Sequence, residues 1–282
     1  MTMKNVSRSF LFVPADRPER AAKAAQTNAD VVIIELEDAV SLENKAVARE
    51  SAGEILAGTN FGQQTVALRP NRITSLDGLA DMQALSTWPR KPDLLILPKV
   101  ESAGEMMVYD ALFSEMGMDS EIMVLIESSR GILDAAEIVS ASSRVTCLSF
   151  GFADLSAELG CKPTWEVMAA YRSSLIVSCG TAGIIPIDAP FLDLTDPDGL
   201  RVECQKVRDM GFGGKLCIHP NQLDLVNDAF TPTPEEIKQA RKIIEAVGSQ
   251  TSGVAVVDGF MVDKPVIKSA QRTVAMAAQF NL

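Results

Sequence analysis

Short runs of β-branched and aliphatic residues recur along the chain, and each ends in a polar, proline or glycine turn before a stretch with helical spacing. The runs are SFLFVP (9–14), DVVIIELE (30–37), TVALRP (65–70), LLILPKV (94–100), IMVLIES (122–128), VTCLSFG (145–151), GIIPIDAP (183–190) and KLCIHP (215–220). Strands that are apolar on both faces belong in a parallel sheet covered by helices. Eight such repeats predict an α/β fold of the (β/α)₈ TIM barrel type, whose usual length is about 250 residues. A doubly wound open sheet competes less well, because VPADRPER stands after the first run where a G-x-G-x-x-G fingerprint would be needed.

Helix signals follow the same beat. Asp16 and Pro18 open a helix over PERAAKAAQ, and Ser102 precedes AGEMMVYDALF. The segment PTWEVMAAYRSSLIVSCGTAG after the sixth run is longer than an ordinary crossover helix and offers an interaction surface. After the eighth run come NQLDLVNDAF, a Pro-marked turn TPTPEE, a helix to about Val247, and a Gly/Ser break at GSQTSG. The tail VAVVDGFMVDKPVIKSAQRTVAMAAQF begins like an apolar hairpin and ends as an amphipathic helix, so it needs a packing partner. The expected organisation is a barrel over residues 1–230 and a C-terminal extension over 231–282.

Composition narrows the class. A chain of 282 residues with 47% hydrophobic residues and a mean hydropathy of +0.13 can bury a sizeable core. Lys and Arg number 26 against 37 Asp and Glu, and the net charge of −11 repels nucleic acid and anionic membrane surfaces. Five scattered cysteines with neither C-x-x-C nor zinc spacing read as reduced core residues of a cytoplasmic protein. The apolar run near the N-terminus is too short for a signal peptide, and no run approaches the roughly 18 to 20 residues of a membrane span.

Active sites of such barrels are built where the strands end. The polar residues at those ends are Asp16 and Arg17, Glu37 and Asp38, Arg69 and Asn71, Lys99 and Glu101, Glu127 and Arg130, Asp154, Asp188 and His219. Glu127 and Asp154 follow neighbouring strands about 4.8 Å apart, and two carboxylates that close repel unless a proton or cation lies between them. With one histidine and no clustered cysteine, oxygen ligands favour Mg²⁺ or Mn²⁺. On pattern alone an alternative stays open, in which Asp154 caps a helix and Glu127 pairs with Arg130.

Taken together, the blocks SFLFVPADRPERAAKAAQTNADVVIIELEDAVSLENKAVAR, LRPN, LILPKVESA, LIESSRGILDAAEIVSASSRVTCLSFGFADLSAELG and GKLCIHPNQ resemble the HpcH/HpaI aldolase and citrate lyase beta-subunit superfamily, in particular its CitE-like CoA-thioester lyases. The resemblance runs in order over nearly the whole chain. It implies Mg²⁺ on Glu127 and Asp154, with Arg69 on the carboxylate or carbonyl of a 2-oxo acid; a barrel-layer salt bridge from Arg69 to Glu37 is the alternative, and compatible, reading of that arginine. The implied reaction is reversible cleavage of a 3-hydroxyacyl-CoA, (S)-citramalyl-CoA or malyl-CoA, into acetyl-CoA and a 2-oxo acid. Asp263 in DGFMVDKP resembles the acid/base aspartate that a C-terminal segment carries over the active site of a neighbouring subunit, which implies a homo-oligomer, commonly a trimer. The tail favours a stand-alone enzyme over a citrate lyase beta subunit acting on citryl groups of an acyl-carrier protein. Arg17, Arg20 and Lys23 are the expected cations for CoA phosphates.

Three further readings carry less. Lys99 as a Schiff-base lysine needs a depressed pKa, which a rim rich in carboxylates opposes. His219, the only histidine, is expected to form a corner near the ligand without acting in catalysis. A non-catalytic acyl-CoA-binding homologue is opposed by the intact set Arg69, Glu127, Asp154 and Asp263. Within VVIIELEDAV, Glu37 and Asp38 are expected to support the site by orienting Arg69, and Glu35, lying deeper, to answer a cation inside the barrel.

Overall fold

The computed structural model describes residues 6–248 and 255–282, so the expected Gly/Ser break at GSQTSG lies outside the described residues. Eight strands are present where the apolar runs predict them: β1 (Ser9–Pro14), β2 (Val31–Glu35), β3 (Thr65–Arg69), β4 (Leu94–Leu97), β5 (Glu121–Ile126), β6 (Val145–Phe150), β7 (Ile185–Asp188) and β8 (Gly214–Cys217). They pair in chain order, all parallel, and β8 returns to β1 with Phe10 opposite Leu216, closing the barrel. The helices between them are α1 (Pro18–Ala24), α2 (Lys45–Gly58), α3 (Leu76–Thr87), α4 (Ala103–Glu115), α5 (Ser129–Ser140), α6 (Phe152–Leu159), α7 (Trp165–Ala182) and α8 (Pro197–Met210).

The strands are mostly buried because each meets side chains inside the barrel and helices outside it. Phe10, Val31, Ile33, Ala67, Leu94, Ile96, Met123, Leu125, Ile187 and Leu216 fill the interior as one cluster. Ser102 caps its helix as the sequence signals, and Ser75 and Ser128 cap theirs in the same way. Ser75, Ser102 and Ser128 each accept a hydrogen bond from the backbone N–H three residues on, at the starts of α3, α4 and α5. At α1 the cap residue is Arg17 rather than Asp16, with Pro18 in the first turn; the Asp16 carboxylate instead accepts from Asn44 Nδ2 at 2.9 Å.

A buried ionic network lies between β7, β8 and the helices outside them. Asp188 and Lys215 are both fully buried; Lys215 Nζ donates to Asp188 and, at 2.7 Å, to Glu203 Oε1. Arg172 from α7 donates to Asp188 Oδ1 at 2.8 Å while its guanidinium stacks 4.8 Å from the Trp165 ring. Burial opposes the Asp188 charge, but Lys215 and Arg172 outweigh it and hold the carboxyl below its usual range. Asp188 therefore serves the wall of the barrel rather than its rim. All five cysteines are free, and burial pushes the Cys147, Cys179 and Cys217 thiols up to about 12.

The chain divides into two compact units: Ser7–Val226, which holds the barrel, and Asn227–Leu282 together with Val6. The division falls inside α9 (Leu223–Phe230), before the expected boundary at residue 230. In the second unit, α10 (Pro234–Gly248) starts with a reciprocal cap between Thr233 and Glu236. Strands β9 (Ala255–Val257) and β10 (Phe260–Val262) form the expected hairpin about Asp258 and Gly259, both with left-handed φ, as a two-residue Asp-Gly turn requires. Val257 and Val262 pack against Ile243, Val247, Val266 and Ile267, tying the hairpin to α10 and to α11 (Lys264–Gln279). No described helix is long and apolar enough to cross a membrane.

Candidate active site

Alternation along the strands carries the interior pattern outward to the barrel mouth. Val31 and Ile33 line the interior, so Glu35 two residues on continues that face; Ala67 leads to Arg69, and Met123 and Leu125 lead to Glu127. Apolar side chains fill the barrel, and charged ones begin where the strands end. Glu35 is fully buried, and Glu37, Arg69 and Glu127 are each less than a tenth exposed.

Arg69 is held from three sides. Its Nε donates to Glu35 Oε2 at 2.5 Å, its Nη1 lies 3.3 Å from Glu37 Oε2, and its guanidinium stacks 4.7 Å from the Phe12 ring centre. Burial works against the Arg69 charge, but Glu35 and Glu37 reverse that effect and raise its pKa. Burial raises Glu35 and Glu37 as well, with Arg69 opposing the shift in both. Glu35 also accepts from the Glu37 backbone N–H at 2.5 Å, so the turn after β2 is built around this ion pair.

Asp38, Glu127 and Asp154 each offer an oxygen within 4.8 Å of the others. Among the described residues this is the one cluster of three or more Asp, Glu, His or Cys side chains able to converge on an ion. Glu127 follows β5, and Asp154 sits in the first turn of α6, whose cap residue is Gly151. A methyl at Gly151 would overlap Glu127 Oε1, so glycine is what lets that carboxylate stand beside β6. Burial, reinforced by Glu37, pushes the Glu127 carboxyl up to about 8.

The donors suit a divalent hard cation. All three are carboxylate oxygens, and the cluster contains no histidine or cysteine. Nearby Glu37 Oε2 is buried without a hydrogen-bond partner, although Arg69 Nη1 stands 3.3 Å away. Such an orphaned acceptor beside three converging carboxylates is the electrostatic setting in which Mg²⁺ or Mn²⁺ compensates excess negative charge.

The structure brings together Glu37, Asp38, Arg69, Glu127 and Asp154. Asp38, expected to act from outside the metal site, lies inside the carboxylate cluster. The cap-and-pair alternative does not hold: Arg130 pairs with Asp134 at 2.7 Å, and α6 has no side-chain cap. Asn71 accepts from Lys45 Nζ at 2.7 Å, Glu101 pairs with Arg72 at 2.8 Å, and His219 Nδ1 accepts from the Asn221 N–H at the corner after β8. Arg17, Arg20 and Lys23 are exposed at and along α1. In the second unit, Asp263 caps α11 by accepting from the Val266 N–H.

From sequence alone Lys99 reads only as a Schiff-base candidate, and its contacts with the cluster are missed. Lys99 reaches over from the turn after β4 and places Nζ 2.8 Å from Glu37 Oε1, 3.3 Å from Asp38 Oδ1 and 3.5 Å from Asp154 Oδ2. Partial burial would lower its pKa, but Glu37 and the other carboxylates raise it, so the ammonium stays protonated and the Schiff-base role fails.

Comparison with known proteins fits this geometry. The family profile described as HpcH/HpaI aldolase/citrate lyase matches residues 8–220. A protein of Cereibacter sphaeroides named (3S)-malyl-CoA thioesterase is 34% identical over 275 residues, covering 96% of this chain and 94% of its own. An L-malyl-CoA/beta-methylmalyl-CoA lyase of the same species is 31% identical over 304 residues, covering 98% of this chain and 96% of its own. The structure of CitE from Mycobacterium tuberculosis in complex with magnesium, acetoacetate and coenzyme A superposes with a TM-score of 0.79 at 31% identity, over 98% of this chain and 100% of that one. The same protein with magnesium and pyruvate gives 0.74 at 29% identity, over 97% and 100%.

Proposed function

The chain belongs to the HpcH/HpaI aldolase/citrate lyase family, and from that membership we propose that it is a Mg²⁺-dependent carbon–carbon lyase acting on a 3-hydroxyacyl-CoA. The substrate of this reading is (S)-citramalyl-CoA, cleaved to acetyl-CoA and pyruvate, or malyl-CoA, cleaved to acetyl-CoA and glyoxylate. The observation that carries it is the convergence of Asp38, Glu127 and Asp154 beside the buried Arg69. Glu127 and Asp154 would hold the ion with Asp38 in reach, and when bound it supplies a Lewis acid for the oxygen that becomes the carbonyl.

The chain's own residues do the rest. Arg69 has one face of its guanidinium committed to Glu35 and Glu37, which fixes its direction. Its remaining N–H groups serve the carboxylate of the 2-oxo acid and the charge that develops next to it. In cleavage Asp263, as the proposed acid/base, takes the hydroxyl proton while the bond between the hydroxyl carbon and the thioester α-carbon breaks and leaves the electron pair on the thioester enolate. That enolate takes a proton at carbon to become acetyl-CoA, and Asp263 is the proposed donor, supplied by a neighbouring subunit of a homo-oligomer such as a trimer. Arg17 and Arg20 are the proposed contacts for the CoA phosphates.

Two other readings have a specific observation behind them. The relative named (3S)-malyl-CoA thioesterase favours hydrolysis of the thioester, which leaves the carbon–carbon bond intact. The CitE likeness favours a citryl thioester carried on CoA or on an acyl-carrier protein. Purified protein is to be incubated with citramalyl-CoA, malyl-CoA and citryl-CoA, with Mg²⁺ or with EDTA, while the 2-oxo acid and free thiol are measured separately. The lyase reading expects equal amounts of oxo acid and acetyl-CoA, abolished by EDTA. Free CoA without oxo acid, or turnover that survives chelation, refutes it.

A further inference from the structure

Five carboxylates crowd the barrel mouth: Glu35, Glu37, Asp38, Glu127 and Asp154. Two cations face them. Arg69 is committed to Glu35 and Glu37 and reaches Asp38 only at 4.0 Å, which leaves Lys99 as the nearer cation for the outer group. Lys99 does so with both its backbone and its side chain. Its N–H donates to Glu127 Oε2 at 2.9 Å, and Nζ lies 2.8 to 3.5 Å from Glu37, Asp38 and Asp154. One residue therefore touches all three members of the cluster and the glutamate behind them.

The backbone at this point is costly. Lys99 follows Pro98 in a tight turn and has φ +53°, a left-handed conformation usually left to glycine or asparagine. Among the described residues Asp258 and Asn281 are the other non-glycine cases, and both are of the residue types that tolerate it. A lysine held this way is over-determined by its surroundings, and here the surroundings are the carboxylates it contacts.

We propose that Lys99 is a tethered counter-ion, its ammonium holding the place among Asp38, Asp154 and Glu37 that a divalent cation contests, so that it sets the affinity of the site for the metal. The inference rests on the metal reading of the cluster given above. Two positive groups sharing Asp38 and Asp154 repel each other, and the ion must draw those carboxylates away from the ammonium. Glu37, at 2.8 Å, keeps hold of Lys99 when that happens. The residue acts by positioning charge and takes no part in bond making.

The test measures Mn²⁺ binding to full-length wild type, Lys99→Gln, Lys99→Met and Lys99→Arg by calorimetry, with melting temperatures recorded without metal. Lys99→Gln and Lys99→Met are expected to bind Mn²⁺ at least tenfold more tightly than wild type, to melt lower without metal, and to gain more from it. Lys99→Arg keeps the charge and stays within about threefold of wild type. A second measurement needs no variant: mass-spectrometric labelling of wild-type lysines with an amine acylating reagent, where Mn²⁺ speeds modification of Lys99. Equal or weaker Mn²⁺ binding in Lys99→Gln, or Lys99 labelling slowed by Mn²⁺, overturns the proposal while leaving the metal site standing. No Mn²⁺ binding to any form removes the metal reading, and the proposal with it.

Discussion

Metal binding at the proposed site is expected to release a proton from Glu127. Burial, reinforced by Glu37, raises the Glu127 carboxyl to about 8, so at pH 7 the metal-free protein holds it mostly protonated. A carboxylate must be deprotonated to ligate a metal. With Glu127 as a ligand, binding at pH 7 is expected to release close to a full proton, and the release falls away as pH rises through about 8. The sign follows directly: protons compete with the ion, so affinity weakens as pH falls through 8. Each unit below it costs roughly tenfold, or about 1.4 kcal/mol, and above it the dependence flattens. Calorimetric titration of Mn²⁺ in buffers of different ionisation enthalpy reads the proton count from the slope of observed enthalpy against buffer enthalpy. A slope of zero at pH 7, together with an affinity that is flat from pH 6 to 9, refutes the placement of Glu127 in the metal site.

The other consequences concern single side chains. Gly151→Ala places a methyl against Glu127 Oε1 and should weaken Mn²⁺ binding at least tenfold with little change in melting temperature. Gly104→Ala, whose new methyl meets only an ordinary contact with Ser102, is the control and should bind metal normally. Asp263→Asn keeps a residue that caps α11 as well as aspartate does, so a fall in turnover of about 100-fold or more with thioester affinity held within a few fold reports lost proton transfer; near-normal turnover makes Asp263 a cap alone. Asp188→Ala leaves the buried Lys215 and Arg172 with Glu203 as their one remaining carboxylate among the described residues and should cost about 3 to 5 kcal/mol in urea unfolding at pH 7. Because the folded carboxyl is held below its usual value, its contribution is present above about pH 4 and is lost as pH falls through the folded value, so wild type and variant should converge only in strong acid.

The barrel was legible because each strand is buried on both faces and announces itself as an uninterrupted apolar run. Alternation within VVIIELEDAV then placed Glu35 deeper than Glu37 and Asp38, and Glu35 is fully buried. It stops being informative where a strand ends. Asp38 lies beyond the last paired residue of β2, and the turn there delivers its carboxylate into the cluster rather than beside it. Lys99 was read as a nucleophile candidate because position in the chain shows a lysine at a strand end but not the left-handed turn that aims it at three acids. The signal available was the dipeptide Pro98–Lys99, a turn whose second position calls for glycine. The Asp188–Lys215–Arg172 network was invisible for a related reason: a lysine opening KLCI reads as solvent-facing until a fully buried aspartate is found opposite it. For Asp263 the structure shows a cap at the start of α11, and the role over a neighbouring subunit came from the family resemblance alone.

The central claim is that Asp38, Glu127 and Asp154 hold a divalent cation next to an oxo acid bound by Arg69. Anomalous diffraction from crystals of the full-length protein grown with Mn²⁺ and pyruvate tests it most directly. The account predicts a manganese peak bounded by Asp38, Glu127 and Asp154, with the pyruvate carboxylate turned toward Arg69. A fully occupied manganese site elsewhere, with Lys99 still spanning the three carboxylates, would contradict it.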